Sequence, residues 1–390
     1  MTSSAISNLK STGLNIGVSK IRELANRTMG TEGLIPLWFG EPDVPTPDFI
    51  MDAAEKSMRD GRTTYTEGLG KLWLREAISA YMTKLYGNSI ETKRIAVTVS
   101  GTNAVNLAFQ LLMEAGDRVV TTTPSFATLI AVPNLQNADL VTVPLKPSDN
   151  GWTLDVDRII EEAKASKILL LNSPNNPTGF VLEYDDIARI MEACRANGTW
   201  IVSDEVYARI VYEGSAAPSF AQVAEPEDRV IIINSFSKSW AMTGWRLGWL
   251  TLPVSLLPHC EKLMEFSMSC SPEFVQAGGY AAITQGEAFI EEQLDRYREG
   301  RDVSLKRLSK MSSVNCIPPR AAFYVHFQVN GVNDNAGFAE RMAKQAKVGI
   351  APGCAFDPQM NDWFRICFAK DTATLNEAFD RMEHFMENSL

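Results

Sequence analysis

Between residues 95 and 235 the chain alternates short apolar runs with helical patterns, and this alternation limits its fold more than any other feature. The apolar runs fall at 95–99, 118–122, 140–143, 168–171, 200–203 and 230–234. Helix-like stretches lie between them, at 103–114, 156–164 and 184–197. Strands separated by helices predict an α/β fold around a mostly parallel central sheet. Runs that are apolar along their whole length suit a sheet covered by helices on both faces. After about residue 270 the pattern changes. One long charged amphipathic helix is expected over 289–310, then strands at 323–327 and 363–367 and a final helix at 374–388. This second pattern predicts a smaller α+β domain. The expected division is a large domain over 45–285 and a small one made from both ends, 1–44 and 286–390, with a site between them.

At 390 residues the chain has room for two such units without disulfide support. Its 37 basic and 47 acidic residues leave a net charge of −10. That balance argues against a surface built for nucleic acid or anionic lipid, but it leaves room for a small cationic pocket. The six cysteines form no Cys-x-x-Cys pair, and the three histidines lack His-x-x-x-His spacing. Neither a metal site nor a disulfide framework is expected. The N-terminus lacks a basic segment followed by an apolar core, and no apolar run approaches the roughly 18 residues of a membrane span. The expectation is a cytoplasmic protein with no membrane or nucleic-acid partner.

Four segments carry chemistry, each at the end of an expected strand. In Asn234-Ser-Phe-Ser-Lys238, a single lysine lies among small hydroxyl residues, and Arg246 follows eight positions later. A lysine there suits a Schiff base with a carbonyl cofactor. Ser235, Ser237 and Arg246 suit a phosphate, for which arginine offers a planar fork of donors. In Ile201-Val-Ser-Asp-Glu-Val-Tyr207, an acidic pair ends an apolar run, where open α/β sheets place their ligand sites. Asp204 there suits a protonated ring nitrogen or, equally, a helix cap. Tyr207 suits a phenolic oxygen. In Asn172-Ser-Pro-Asn-Asn-Pro-Thr-Gly179, two prolines and a glycine set a turn that holds the Asn176 amide. In Val97-Thr-Val-Ser-Gly-Thr102, a strand runs into a helix start whose N–H groups suit a phosphate. Ser100 and Thr102 add hydroxyls there, and Gly101 permits close approach.

Together and in this order, the four segments resemble the class I aminotransferases, the pyridoxal-phosphate enzymes of the aspartate aminotransferase fold (fold type I). The resemblance runs from Gly40-Glu-Pro-Asp43 to Trp363-Phe-Arg-Ile-Cys-Phe368. It implies a pyridoxal 5′-phosphate cofactor and transfer of an amino group from an L-amino acid to a 2-oxo acid. Lys238 is similar to the lysine that forms the internal aldimine and then moves a proton. Asp204 matches the partner of the pyridine nitrogen, and Tyr207 and Asn176 match the two donors to the ring hydroxyl oxygen. Ser100, Gly101, Thr102, Ser235, Ser237 and Arg246 fall at the phosphate. Phe126 resembles the aromatic residue stacked on the ring. Tyr65 resembles the tyrosine that serves the neighbouring subunit, which implies a homodimer. Gly40 and Arg365, with Asn176, fall where the family binds the substrate carboxylate.

Two departures stand out. Ala321 occupies a position where the family commonly has glycine. Residues 105–110 carry no cation, which weakens the expectation of a dicarboxylate donor. Aspartate, aromatic amino acids, methionine and alanine all remain candidate donors. A carbon–sulfur β-lyase of the same fold is the alternative enzyme, and a non-catalytic binding module is disfavoured by the retained lysine. Ser235-Phe-Ser-Lys238 and Ser148-Asp-Asn150 also fit serine β-lactamase motifs, but their order is reversed and Lys-Thr-Gly is absent.

Overall fold

The computed structural model describes residues 16–389; the N-terminal decapeptide on which the expectation of no signal sequence rests lies outside them. Seven strands form the central sheet: β1 (Ile95–Thr98), β2 (Arg118–Thr123), β3 (Asp139–Pro144), β4 (Ile168–Asn172), β5 (Trp200–Asp204), β6 (Val230–Ser235) and β7 (Gly248–Thr251). Their spatial order is β1-β7-β6-β5-β4-β2-β3. The pairings from β6 through β5, β4 and β2 to β3 are parallel. Only β7 runs antiparallel, against both β1 and β6. The sequence reading missed β7, because four residues opening on glycine and containing a threonine do not stand out as an apolar run.

Strand alternation divides the core between two faces. Leu169, Leu171, Ile201 and Ile232 join one apolar cluster with Ile159, Ile187 and Ile190 of the helices Val156–Lys164 and Tyr184–Asn197. Ile168, Leu170, Val202, Ile231 and Ile233 join the other. There they meet Ala104, Leu107 and Phe109 of the helix Gly101–Leu112 and Cys260 and Met264 of the helix Leu257–Ser267. Both faces are therefore covered, which explains why these strands read as continuous apolar runs.

A second, antiparallel sheet contains β8 (Val314–Ile317), β9 (Tyr324–Val329), β10 (Ala351–Pro352) and β11 (Trp363–Cys367), in the order β8-β9-β11-β10. The long helix Glu287–Leu308 packs against it and against the C-terminal helix Thr372–Ser389. Residues 35–37 come from far away in the chain to join this side. Ile35–Pro36 pairs in parallel with Val348–Gly349, and the Cys367 N–H donates to the Leu37 carbonyl at 2.8 Å. That contact lays the next residues, 38–40, beside β11, where Arg365 reaches the Trp38 carbonyl. Among the described residues no helix is long and apolar enough to cross a membrane.

Candidate active site

The C-terminal ends of β4, β5 and β6 lie side by side, and their last residues open into a cleft of about 270 Å³. Asn172 and Asp204 are register partners at the ends of β4 and β5, and the Asn172 amide donates to the Asp204 carbonyl at 3.0 Å. After β6 the chain turns at once into the short helix Phe236–Ser239, capped by the Ser235 hydroxyl, which accepts from the Ser237 N–H at 3.1 Å. This turn carries Lys238 to the cleft floor. Its ammonium donates to the Gly40 carbonyl at 2.6 Å and lies 5.8 Å from the Tyr207 ring centroid. Burial pushes the lysine down to about 8, and Cys367 nearby partly opposes that shift.

Asp204 is buried, and among the described residues its carboxylate accepts from the Val206 N–H alone, at 3.3 Å. Burial pushes it up to about 7, against the pull of the Val206 N–H and of Lys238. A buried carboxylate without an ion-paired cation is costly. Among the described residues no side chain forms an ion pair with it, although Lys238 acts on it from a distance, so the carboxylate suits a further cationic group. Nearby, Ser235, Ser237 and Arg246 share the cleft with Gly101 and Thr102 at the start of the helix Gly101–Leu112. Arg246 reaches this position in the left-handed conformation, φ +54°, braced by its own guanidinium on the Thr243 carbonyl at 2.7 Å. Helix N–H groups, hydroxyls and a guanidinium together make an anion cradle. A phosphorylated, protonated pyridine therefore fits the donor set: cradle for the phosphate, Asp204 for the ring nitrogen.

The opposite wall comes from the small sheet. Tyr324 pairs with Cys367 and His326 with Arg365, so all four side chains project from one face. Arg365 is buried. Its guanidinium donates to Asn176 Oδ1 at 2.9 Å and to the Trp38 carbonyl, and lies over the rings of Tyr324 (4.3 Å) and Phe356 (4.9 Å). Its Nε finds no partner among the described residues. Two contacts leave three of the five guanidinium N–H groups for a ligand. His326 is buried between Trp152 and Trp363, with ring centroids 5.5 and 4.9 Å away. Burial, and secondarily Arg365, push it down to about 3, so it stays neutral behind the arginine.

Twelve of the residues expected from the sequence line the cleft: Gly40, Gly101, Thr102, Phe126, Asn176, Asp204, Tyr207, Ser235, Ser237, Lys238, Arg246 and Arg365. Two do not. Ser100 turns its hydroxyl to the Asn103 N–H at 3.0 Å, so it caps the helix instead of lining the cleft. Tyr65 stands outside, 90% exposed, as does Phe266 at 91%. The sequence reading missed Tyr324, whose hydroxyl bonds the Tyr207 hydroxyl at 2.7 Å; burial pushes both phenols up. A signal for it existed in Gly40. A Cβ there would sit 1.8 Å from the Tyr324 oxygen, so glycine is required by the tyrosine's approach. Gly179, at φ +69°, is held in the same way: a Cβ would come within 2.7 Å of the Ala321 carbonyl oxygen. The departure at Ala321 resolves locally. Ala321 bridges to Val211, and the left-handed residue is its neighbour Ala322, φ +58°, whose N–H donates to the Ile210 carbonyl at 2.8 Å.

Residues 32–382 match the family described as aminotransferase class I and II. The aspartate aminotransferase of Pyrococcus horikoshii is 34% identical over 373 residues, covering 95% of each chain. The aromatic-amino-acid aminotransferase 2 of Thermococcus litoralis is 32% identical, covering 95% of this chain and 96% of its own. Among solved structures, the aspartate aminotransferase of Thermotoga maritima superposes with a TM-score of 0.90 at 30% identity, covering 97% of this chain and all of that one.

Proposed function

The chain belongs to the class I and II aminotransferases, and from that premise we propose that the cleft carries pyridoxal 5′-phosphate and moves an amino group from an L-amino acid to a 2-oxo acid. The observation that carries this reading is the joint burial of Lys238, Asp204 and Arg365 around one cleft. When bound, the cofactor ring supplies an electron sink for the pair left behind as the substrate loses its α-proton. Asp204 would hold the ring nitrogen in its protonated form, since that cation relieves the carboxylate's burial. Gly101, Thr102, Ser235, Ser237 and Arg246 would hold the phosphate. Tyr207 and Asn176 would donate to the ring hydroxyl, and Phe126 would cover the ring. Lys238 has the basicity of an amine that is neutral just above physiological pH, so it can take the α-proton and return it elsewhere. Arg365 would fix the α-carboxylate through its free N–H groups and so orient the bond that breaks.

The same reading makes the protein a cytoplasmic homodimer. The exposed Tyr65 and Phe266 support a partner surface, with Tyr65 serving the neighbouring site. It also divides the chain into 45–285 and the joined ends, 1–44 and 286–390. The relatives named above transfer amino groups, which does not favour the carbon–sulfur lyase. The deciding experiment screens amino donors and oxo-acid acceptors with the cofactor-loaded protein. The expected result is acceptor-dependent oxo-acid formation and a donor-dependent shift of visible absorbance. Release of pyruvate and ammonia from cystathionine without any acceptor would overturn it in favour of the lyase.

A further inference from the structure

One cation of the cleft has no task in the mechanism above. Arg22 lies near the start of the helix Lys20–Thr28 and lines the cleft wall. Its neighbours on that helix are paired: Lys20 with Glu23 at 3.2 Å, and Arg27 with Glu23 at 2.6 Å and Glu340 at 3.5 Å. Arg22 has no acidic partner among the described residues. Its guanidinium rests instead on the Phe39 ring, 4.6 Å from the centroid.

Residues 38–40 connect this arginine to the chemistry. The Trp38 carbonyl accepts from Arg365, the Phe39 ring carries Arg22, and the Gly40 carbonyl accepts from Lys238. Three consecutive residues, each about 3.5 Å along the chain, therefore gather three cations around one small volume. Arg365 and Lys238 account for the α-carboxylate and the reacting carbon. A substrate held there leaves its side chain as the group still to be read, and Arg22 is a cation without an acidic partner on the cleft wall. Arg22 itself is exposed, and the cleft it lines also carries the apolar side chains Ile21, Val105 and Leu129, so a substrate carboxylate there would have this guanidinium as a partner among mixed polar and apolar neighbours.

We propose that Arg22 reads the distal carboxylate of the substrate, and that the preferred donors and acceptors are dicarboxylic. This rests on the aminotransferase reading of the cleft. It also supplies the cation that residues 105–110 lack. A guanidinium stacked on an aromatic ring can stay there for a neutral side chain and form a forked pair with a carboxylate when one arrives.

The test compares the cofactor-loaded wild type with Arg22→Ala and Arg22→Lys on glutamate, aspartate, phenylalanine and alanine. The readout is the ratio of kcat/KM for acidic donors to that for neutral donors. Arg22→Ala should lower this ratio by about 10- to 100-fold, mainly through KM, as expected for a lost bond to a charged group. Arg22→Lys should recover part of the loss, and inhibition by glutarate should weaken in parallel. An unchanged ratio, or equal losses for both donor types, would overturn the proposal while leaving the aminotransferase reading intact. Absence of amino transfer from every donor in the wild type would instead overturn the underlying reading, and this proposal with it.

Discussion

The two walls of the cleft are built by opposite strategies. On the large-sheet wall, each chemical group sits at the end of its own strand and within a few residues of a local signal. Asp204 ends β5, Ser235 ends β6 and Lys238 follows three residues later. On the small-sheet wall, Arg365 depends on groups 189 and 327 residues away in the chain, Asn176 and the Trp38 carbonyl. The electrostatics differ as well. Asp204 is buried with one weak hydrogen bond, whereas Arg365 already has two acceptors and two aromatic faces. On the proposed reading, the buried carboxylate of the large-sheet wall would be met by the cationic ring of the cofactor, and the pre-assembled arginine of the small-sheet wall would position the substrate.

This contrast can be broken most directly at Lys238. Replacing it with alanine should lower turnover by about 10⁴-fold or more, since proton transfer and nucleophile are lost together. Retention of full turnover would remove the large-sheet wall from the chemistry. Asp204→Asn should come next, with kcat/KM down about 10³-fold, the scale of a lost buried electrostatic partner.

The same variant sharpens the electrostatic half of the comparison through stability. An aspartate normally titrates at 3.8, and Asp204 in the folded chain at about 7. The folded form binds the extra proton between these values, so the contribution of Asp204 to the stability of the cofactor-free protein should fall as pH rises from about 4 to about 7. Lys238 has the opposite window. Its folded value of about 8 lies below the ordinary 10.5, so stability should return as pH rises between them. Glu205, buried beside Asp204 and also pushed up to about 7, falls in the same window as Asp204, while His326, pushed down to about 3, opposes both. Thermal melts of the cofactor-free wild type and Asp204→Asn should therefore differ by the Asp204 share alone, the variant gaining relative stability as pH rises from about 4 to about 7.

Arg365→Ala should cost about 100-fold in kcat/KM with most cofactor affinity kept, because it removes a charged hydrogen-bond partner of the substrate alone. Equal loss of cofactor binding would mean that the two walls are not separable. Tyr65→Phe should weaken cofactor affinity by about tenfold, as for one hydrogen bond to a charged group, with the dimer intact by light scattering. A normal affinity would remove the neighbouring subunit from the large-sheet wall.

Legibility followed the same divide. The central parallel strands β4, β5 and β6 are readable because both of their faces are buried, which favours apolar residues throughout, as at Ile168–Leu171; the edge strand β3 is partly exposed. The helices Val156–Lys164 and Tyr184–Asn197 matched their patterns end to end. The antiparallel β7 was not readable, since its place between β1 and β6 comes from the partners it finds and not from its own four residues. The role of Ser100 is not legible in sequence, because a hydroxyl before a helix can serve a ligand or cap the helix, and here it accepts from the Asn103 N–H. Tyr324 and Arg22 were missed because their meaning lies in cross-strand register and in one aromatic contact.

By itself, the sequence determined the layered α/β core, the order of the motifs and the chemical types of the residues that gather in the cleft. Those depend on periodicity and short-range spacing, which are properties of the chain before it folds. Tertiary structure alone decided how residues 38–40 reach β11, how closely Gly40 meets Tyr324, and which cation of the cleft has no acidic partner among the described residues. It also set Lys238 and Asp204 near neutrality, because desolvation depends on what surrounds a group and not on its neighbours in sequence.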